Sequence, residues 1–169
     1  MTPPEQAGLV IREAVAADAG RLAQLLAEGA LTAWEDVADV GAYRSALEEI
    51  SATPGSAVLV AELDDRVVGC CQLFVVRHLQ ERGGRCAEVE SVHVDAEVRD
   101  HGIGTALLAE AVRRARAAGC YRVQLTSNLA RQDAHRWYRR LGFAPSHTGF
   151  KLYLDERGQP GPGLGGTPT

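Results

Sequence analysis

The stretch Arg99-Asp100-His101-Gly102-Ile103-Gly104-Thr105 stands between a strand-like run at 88–94 and a helix-like run at 106–118. The first N–H groups of a helix have no partner within the helix, and the helix dipole adds partial positive charge there. Glycines also let the backbone approach a ligand that a Cβ would block. The turn therefore predicts a binding site for a phosphate or pyrophosphate.

Composition restricts the classes of protein that can carry this turn. The chain has 169 residues, 46% of them hydrophobic, which suits a single globular domain. The formal net charge is -4 and no broad basic stripe occurs, so nucleic acid is not an expected partner. The N-terminus lacks a signal-peptide pattern, and wholly apolar runs such as 57–61 are too short to span a bilayer. We expect a cytoplasmic protein with no membrane partner.

The histidines and cysteines give no support for a metal centre. The chain has no Cys-x-x-Cys pair, and its four cysteines, Cys70, Cys71, Cys86 and Cys120, are predicted to be reduced thiols within or beside apolar runs. His78, His93 and His147 lack the spacing of metal ligands. No metal site is predicted.

The pattern of apolar residues divides the chain into alternating strands and helices. Strands are predicted at 9–12, 57–61, 67–76, 86–94, 121–126, 143–144 and 150–154. Helices are predicted after Asp18 and at about 41–50, 106–118 and 131–141, with a hairpin turn at Asp64-Asp65 and a loop at 78–85. This order predicts an α/β fold with one mixed sheet and helices on its faces. Residues 1–8 are expected to be a flexible N-terminus, 9–154 the domain, and 155–169 a disordered Gly/Pro-rich tail.

Two common nucleotide-binding loops do not fit the turn at 99–105. A Walker loop requires Gly-x-x-x-x-Gly-Lys-Ser/Thr, which the chain lacks. A dinucleotide fingerprint requires Gly or Ala at the position that Leu107 occupies, and an acid about 20 residues later, where Arg122, Val123 and Gln124 stand. The phosphate ligand is therefore of another kind.

Two segments resemble the GNAT superfamily of N-acetyltransferases. Arg99-x-x-Gly102-x-Gly104 is similar to its acetyl-CoA signature, and the segment 128–143 is similar to its C-terminal motif. The resemblance covers roughly 9–154 and is most specific from about 86, and the stretch 126–151 looks especially like the aminoalkylphosphonate N-acetyltransferase branch. It implies a GNAT fold, with a mostly antiparallel central sheet and helices on both faces. It also implies an acyltransferase that moves the acetyl group of acetyl-CoA directly to a primary amine of a small molecule or peptide.

The resemblance assigns roles to residues of this chain. Glu90 matches the general base of many relatives, Glu88 is the alternative base on the same strand face, and Tyr138 matches the general acid. The implied cofactor-binding residues are Val92, His93, Val94, Arg99, Asp100, His101, Gly102, Ile103, Gly104, Thr105, Asn128 and His135. Asp100 departs from the family, which usually has Gly or a small or basic residue there. For Asn128 a turn-forming role is the alternative.

The acceptor amine and the oligomeric state are not determined by the sequence. Acidic residues dominate 28–49, which favours a cationic amine or simply gives solvated helix faces. A homodimer stays open. Two other activities also stay open: a non-catalytic acyl-CoA-binding sensor that regulates a partner, and an acyl-enzyme route through a cysteine. The sensor would need neither Glu90 nor Tyr138, and the cysteines lack a paired base in the sequence.

Overall fold

A five-stranded mixed sheet forms the centre of the molecule. The computed structural model describes residues 7–30, 36–152 and 154. The strands are β1 (Leu9–Glu13), β2 (Ser56–Leu63), β3 (Arg66–Arg77), β4 (Arg85–Val94) and β5 (Cys120–Leu125). They lie side by side in chain order, with three antiparallel pairings followed by a parallel pairing of β4 with β5. The predicted α/β class and mostly antiparallel sheet are confirmed.

Five α-helices in the described part of the chain connect or flank these strands. They are α1 (Ala19–Gly29), α2 (Val40–Ala52), α3 (Gln80–Gly83), α4 (Ile103–Ala117) and α5 (Gln132–Arg140). The four-residue α3 lies in the predicted loop and has left-handed backbone at Glu81 and Arg82. The predicted hairpin turn is present, since Asp64 and Asp65 have φ of 49° and 61°. Two consecutive positive φ values suit the tight turns of hairpins, and aspartate tolerates that conformation better than most residues.

The two faces of the sheet carry two separate apolar cores. The larger core includes Leu107 and Leu108 of α4 and packs on Leu73 and Val89 of the sheet. The smaller core joins α1 and α2 to the other face through a set that comprises Ala14, Leu22, Leu25, Leu47, Val60, Val67 and Cys70. Each side chain of the sheet can thus be assigned to the α4 face or to the face under α1 and α2. No helix among the described residues is long and apolar enough to cross a membrane.

The predicted strands at the C-terminal end are not found. Residues 143–144 and 150–152 have no strand structure, and Tyr153 lies outside the described residues. The strand prediction for 150–154 relied on alternating apolar residues. However, Phe150, Leu152 and Leu154 are 92%, 86% and 93% exposed. Alternation stabilises a strand only when one face is buried against a core, and that burial is missing here. The expected flexible N-terminus and disordered tail fall largely on residues 1–6 and 155–169, which are outside the described residues.

Candidate active site

The parallel ladder between β4 and β5, the last pair of strands in the sheet, ends before β4 does and leaves an opening beside β4. Their ladder runs from Arg85↔Cys120 to Val89↔Leu125, and β4 continues to Val94 without a ladder to β5. Backbone N–H and C=O groups on one edge of β4 are thereby directed away from the β-ladder. An extended ligand can add to such an edge as a strand would. Val92, His93 and Val94, which are predicted to bind the cofactor, all lie in this part of β4.

A β-bulge changes which way β4 presents its side chains beyond Val89. Glu90 lies opposite Gln72 and His93 lies opposite Cys70, so two residues of β4, Ser91 and Val92, face one residue of β3. Ser91 has a φ of 52°, in the left-handed region. An extra residue in one strand reverses the alternation of side chains beyond it.

The bulge therefore places Glu90 and His93 on the same face, although they are three residues apart. Cys70, the partner of His93, belongs to the core under α1 and α2. Val92 and Val94 pack instead against the larger core on the α4 face. The His93 ring contacts the end of α1, because a Cβ added at Gly29 would overlap it.

The turn that the sequence singled out opens α4 as expected. Gly102 has a φ of 80° and precedes the first helical residue, a conformation that glycine adopts without strain. The first helical hydrogen bond runs from Ala106 N to Gly102 O over 3.0 Å. The N–H groups of Ile103, Gly104 and Thr105 therefore lie ahead of the helical ladder. Together with the exposed Arg99 guanidinium they fit a pyrophosphate group.

Local contacts hold the turn in shape. Arg99 Nε donates to Val94 O over 3.2 Å, and a ring nitrogen of His101 lies 2.9 Å from Arg99 O. Asp100 is exposed and has a φ of 65°. That left-handed backbone explains why a glycine suits this position, and aspartate is one of the side chains that tolerates it.

Gly104 has a different reason for being glycine from the one that the sequence indicated. A Cβ there would lie 3.1 Å from Cζ2 and 3.2 Å from Cη2 of Trp137. Trp137 Nε1 also lies 3.4 Å from Thr105 Oγ1, at the limit of a hydrogen bond. The indole of α5 thus packs on the first turn of α4, and glycine at position 104 leaves room for that side chain.

Tyr138 lies on α5 and is half-buried. It packs against the larger core, with its ring centroid 4.8 Å from that of Trp137 and 5.9 Å from that of Phe143. Burial raises the pKa of Tyr138 to about 12, with smaller contributions from Arg131, which lowers it, and from Cys71 and Glu90, which raise it. The hydroxyl is therefore protonated at neutral pH, as a proton donor must be.

Glu90 has the properties of a base. It is half-buried, and burial followed by the negative charge of Glu88 raises the pKa of Glu90, while Lys151 and Thr126 oppose the shift. A carboxylate with a raised pKa accepts a proton more readily near neutral pH. Glu88 is also half-buried and lies opposite Phe74 on the same face. Arg77 of β3 and Arg85 of β4 donate to backbone oxygens, Arg77 to Gly83 O and Arg85 to Ala118 O.

Asn128 lies in the loop before α5, and His135 lies in α5 itself. The Asn128 side-chain oxygen accepts from Ala130 N over 2.9 Å, and its backbone oxygen accepts from Arg131 N over 2.9 Å. This is the turn-forming role, in which the side chain stabilises the loop before a helix. His135 is half-buried one turn after Arg131. Contacts of either residue with a cofactor stay predictions.

An ion-pair network that the sequence did not reveal fixes the start of the turn. The Asp95 carboxylate accepts from Arg21 at 2.6 Å, from Arg66 at 3.0 Å and from the backbone of Glu97 at 3.0 Å. These groups border a cavity of about 710 Å³ lined by Arg21, Gln24, Glu28, Arg66, Asp95, Ala96, Glu97 and Arg99. Asp95 thereby ties α1 and β3 to the segment that carries Arg99. Sequence patterns could not find it, because its partners lie 74 and 29 residues away.

The cysteines are unsuited to nucleophilic catalysis. All four are free thiols; Cys70, Cys71 and Cys86 are buried and Cys120 is half-buried. Burial raises the pKa of Cys70 and of Cys71 to about 12, so neither is a thiolate at neutral pH. No group of three His, Cys, Asp or Glu side chains in the described part of the chain is arranged to hold a metal ion.

Comparison with known proteins agrees with this geometry. The model of the acetyltransferase (GNAT) family matches residues 23–143. The chain is 33% identical over 116 residues to aminoalkylphosphonate N-acetyltransferase of Salmonella typhimurium, covering 69% of this chain and 75% of the relative. It is 32% identical over 116 residues to glucosamine 6-phosphate N-acetyltransferase 1 of Oryza sativa, covering 67% and 68%. A solved structure described as a transcriptional regulator from Bacillus halodurans C-125 superposes with a TM-score of 0.81 at 31% identity, over 86% of this chain and 99% of that one.

Proposed function

We propose that this chain, which belongs to the acetyltransferase (GNAT) family, uses Glu90 and Tyr138 to transfer the acetyl group of acetyl-CoA to a primary amine. The observation that carries the proposal is the opening between β4 and β5. Glu90 lies on β4 at this opening, its charge contributes to the raised pKa of Tyr138, and the turn suited to pyrophosphate follows the same strand. A transferase that joins an amine to an acyl-CoA needs these three elements together.

Each element has one task in binding. The N–H groups of Ile103, Gly104 and Thr105, with the Arg99 guanidinium, hold the pyrophosphate of acetyl-CoA. The free edge of β4 from Glu90 to Val94 pairs with the pantetheine arm as an added strand. The acceptor amine approaches from the face under α1 and α2, to which Glu90 points. Holding both reactants in line contributes about 7–11 kcal/mol to the rate enhancement of well-aligned reactions.

Two side chains, Glu90 and Tyr138, transfer protons during the reaction. Glu90 removes a proton from the ammonium, directly or through water, so that the amine lone pair can bond to the thioester carbonyl carbon. The N–H groups of β4 stabilise the negative charge on the carbonyl oxygen. As the carbon–sulfur bond breaks, Tyr138 donates its proton to the sulfur and the nitrogen of the adduct releases its second proton to solvent, giving the amide and free CoA thiol. General acid–base catalysis of this kind typically contributes about 10²–10⁴-fold.

Two relatives suggest which amines to test first. Their names describe acceptors that carry both an amine and a phosphorus oxyanion, an aminoalkylphosphonate and glucosamine 6-phosphate. The panel should therefore contain these two, together with polyamines, aminoglycosides and peptides. The protein is incubated with acetyl-CoA and each amine, and the released CoA thiol is followed with a thiol reagent. Amine-dependent release of CoA is the expected result.

A cofactor-binding regulator is the second candidate function. It is favoured by the similarity to the solved structure described as a transcriptional regulator. A sensor of this kind binds acetyl-CoA without transferring the acetyl group. Tight binding of acetyl-CoA with no amine-dependent release on any member of the panel would support the regulator and contradict the transferase.

A further inference from the structure

We propose that His93 is a second proton acceptor of the amine site, which the bulge at Ser91 places beside Glu90. This inference rests on the proposed transfer to an amine and extends it by one residue. The family resemblance implies only a cofactor-binding role for His93. The His93 side chain has a separate role on the face of the sheet under α1 and α2.

The register between β3 and β4 gives the first argument. Glu90 and His93 lie opposite Gln72 and Cys70, which are two residues apart on β3. Two positions along a strand correspond to about 6.5–7 Å, and side chains two positions apart share a face. An amine nitrogen, or a water molecule next to it, placed between the two side chains can therefore hydrogen-bond to both, since each such bond spans about 3 Å.

The end of α1 gives the second argument. Gly29 is the last residue of α1 and lacks the positive φ that would require glycine, and glycine is a poor helix former. Its missing Cβ makes room for the His93 ring. Arg131 at the start of α5 donates to the carbonyl of the same Gly29. The imidazole is thus held against α1 at the point where the acceptor amine must enter.

The electrostatic surroundings of His93 come from four elements. The charged and titratable groups on these elements include Arg21 and Glu28 of α1, Cys70 of β3, Glu88 and Glu90 of β4, and Arg131 at the start of α5. Arg21 and Glu28 form an ion pair with each other. A nearby positive charge disfavours a protonated imidazole, and a nearby negative charge stabilises it. A proton acceptor needs both states, and histidine changes charge near neutral pH.

The proton step is simple in this arrangement. Neutral His93 takes a proton from the substrate ammonium, which leaves a neutral amine free to attack the thioester carbonyl. The resulting imidazolium lies next to the Glu90 carboxylate and returns its proton to solvent after the transfer. The nitrogen must lose a second proton to become an amide nitrogen, and Glu90 is then the acceptor for it, so loss of either residue slows the reaction.

His93→Asn tests the proposal through the pH profile, with the best amine of the panel as substrate. We expect kcat/KM to fall about 10²-fold at pH 7. The loss should shrink to tenfold or less at pH 9.5, where much of the amine is already deprotonated. His78→Asn is the matched control, because His78 contacts Tyr121, which neighbours the first β4–β5 ladder pair, far from the bulge. A loss of less than threefold, or a loss that stays constant between pH 6.5 and 9.5, would overturn the proposal.

Gly29→Ala tests the same residue without removing it. The added methyl displaces the His93 ring, so kcat/KM at pH 7 should fall at least tenfold with the same pH dependence. Gly20→Ala in the same helix is the control, since its Cβ would meet Val40 only at 3.8 Å. Equal activity of the two alanine variants would contradict the proposal. If the wild-type protein acetylates no amine at all, the proposed function itself fails, which is a distinct result.

Discussion

Asp95→Ala should destabilise the protein more than any exposed charge does. Asp95 is 7% exposed and accepts three hydrogen bonds, from Arg21, Arg66 and the N–H of Glu97. The bond from the half-buried Arg21 is worth about 1.5–3 kcal/mol, because it joins two charges. The cap on Glu97 adds about 1 kcal/mol. The pair with Arg66, whose side chain is 54% exposed, adds about 0–1 kcal/mol.

These contributions predict a loss of about 3–5 kcal/mol in the free energy of unfolding. A domain of this size typically shifts its Tm by about 2–4 °C per kcal/mol, so the midpoint should fall by roughly 10 °C. Urea unfolding followed by circular dichroism measures the free energy. The control is Asp133→Ala, which removes an ion pair to Arg136 from a side chain that is 94% exposed. It should cost less than about 1 kcal/mol.

The pH dependence gives a second check on Asp95. The N–H of Glu97, with further contributions from Arg21 and Arg66, holds the pKa of Asp95 below its usual value of 3.8. A carboxyl group whose pKa is lowered in the folded state stabilises that state when the pH is above the pKa of the unfolded chain. This stabilisation is lost as the pH falls through the lowered pKa of the folded state. The difference between wild type and Asp95→Asn should therefore shrink in acid. A loss below about 1 kcal/mol for Asp95→Ala at pH 7 would refute the reasoning.

Three further changes test other parts of the site. Asp100→Asn should tighten acetyl-CoA binding about twofold to fivefold, because it removes a negative charge near a helix N-terminus. Asp100→Gly should bind acetyl-CoA at least as tightly, and the protein should be more stable because the left-handed strain is also removed. Calorimetric titration measures the binding of both variants. Gly104→Ala should raise the KM for acetyl-CoA by pushing the Trp137 ring, and adding Trp137→Phe should restore part of it; an additive double variant would contradict the packing argument. Glu90→Gln should stabilise the fold at neutral pH, because a carboxyl group whose pKa is raised in the folded state destabilises the protein as the pH rises and the group ionises. In urea unfolding, the difference in free energy between the variant and the wild type should be smaller at pH 4.

The sequence predicted the parts of the fold that local chemistry controls. The apolar spacing of Leu107 and Leu108 indicated α4, and Asp64-Asp65 indicated the hairpin turn, since both signals depend on neighbouring residues. The strand at 150–154 was wrong because its alternating side chains have no core to cover in the described structure. Alternation alone does not say whether a second surface is available.

In the candidate site, too, the sequence predicted the features that depend on neighbouring residues and missed those that depend on long-range packing. Gly102 was predicted from a pattern within one turn, and its backbone conformation fits that pattern. The sequence did not predict the bulge at Ser91, because serine is not a residue that indicates left-handed backbone. The bulge changes the face of the sheet on which His93 lies. The contact of Trp137 with Gly104 was hidden as well, since it depends on how α5 packs on α4. Long-range packing sets both features.

Tyr138→Phe tests the central claim most directly. Phenylalanine keeps the ring between Trp137 and Phe143 and removes only the hydroxyl, so the fold and the acetyl-CoA site should be retained. The measurement is kcat for acetyl transfer to the best amine, together with the Kd for acetyl-CoA on the same preparation. We predict a fall in kcat of about 10²-fold or more with a Kd unchanged within threefold. An unchanged kcat would contradict the assignment of Tyr138 as the acid that protonates the leaving thiolate.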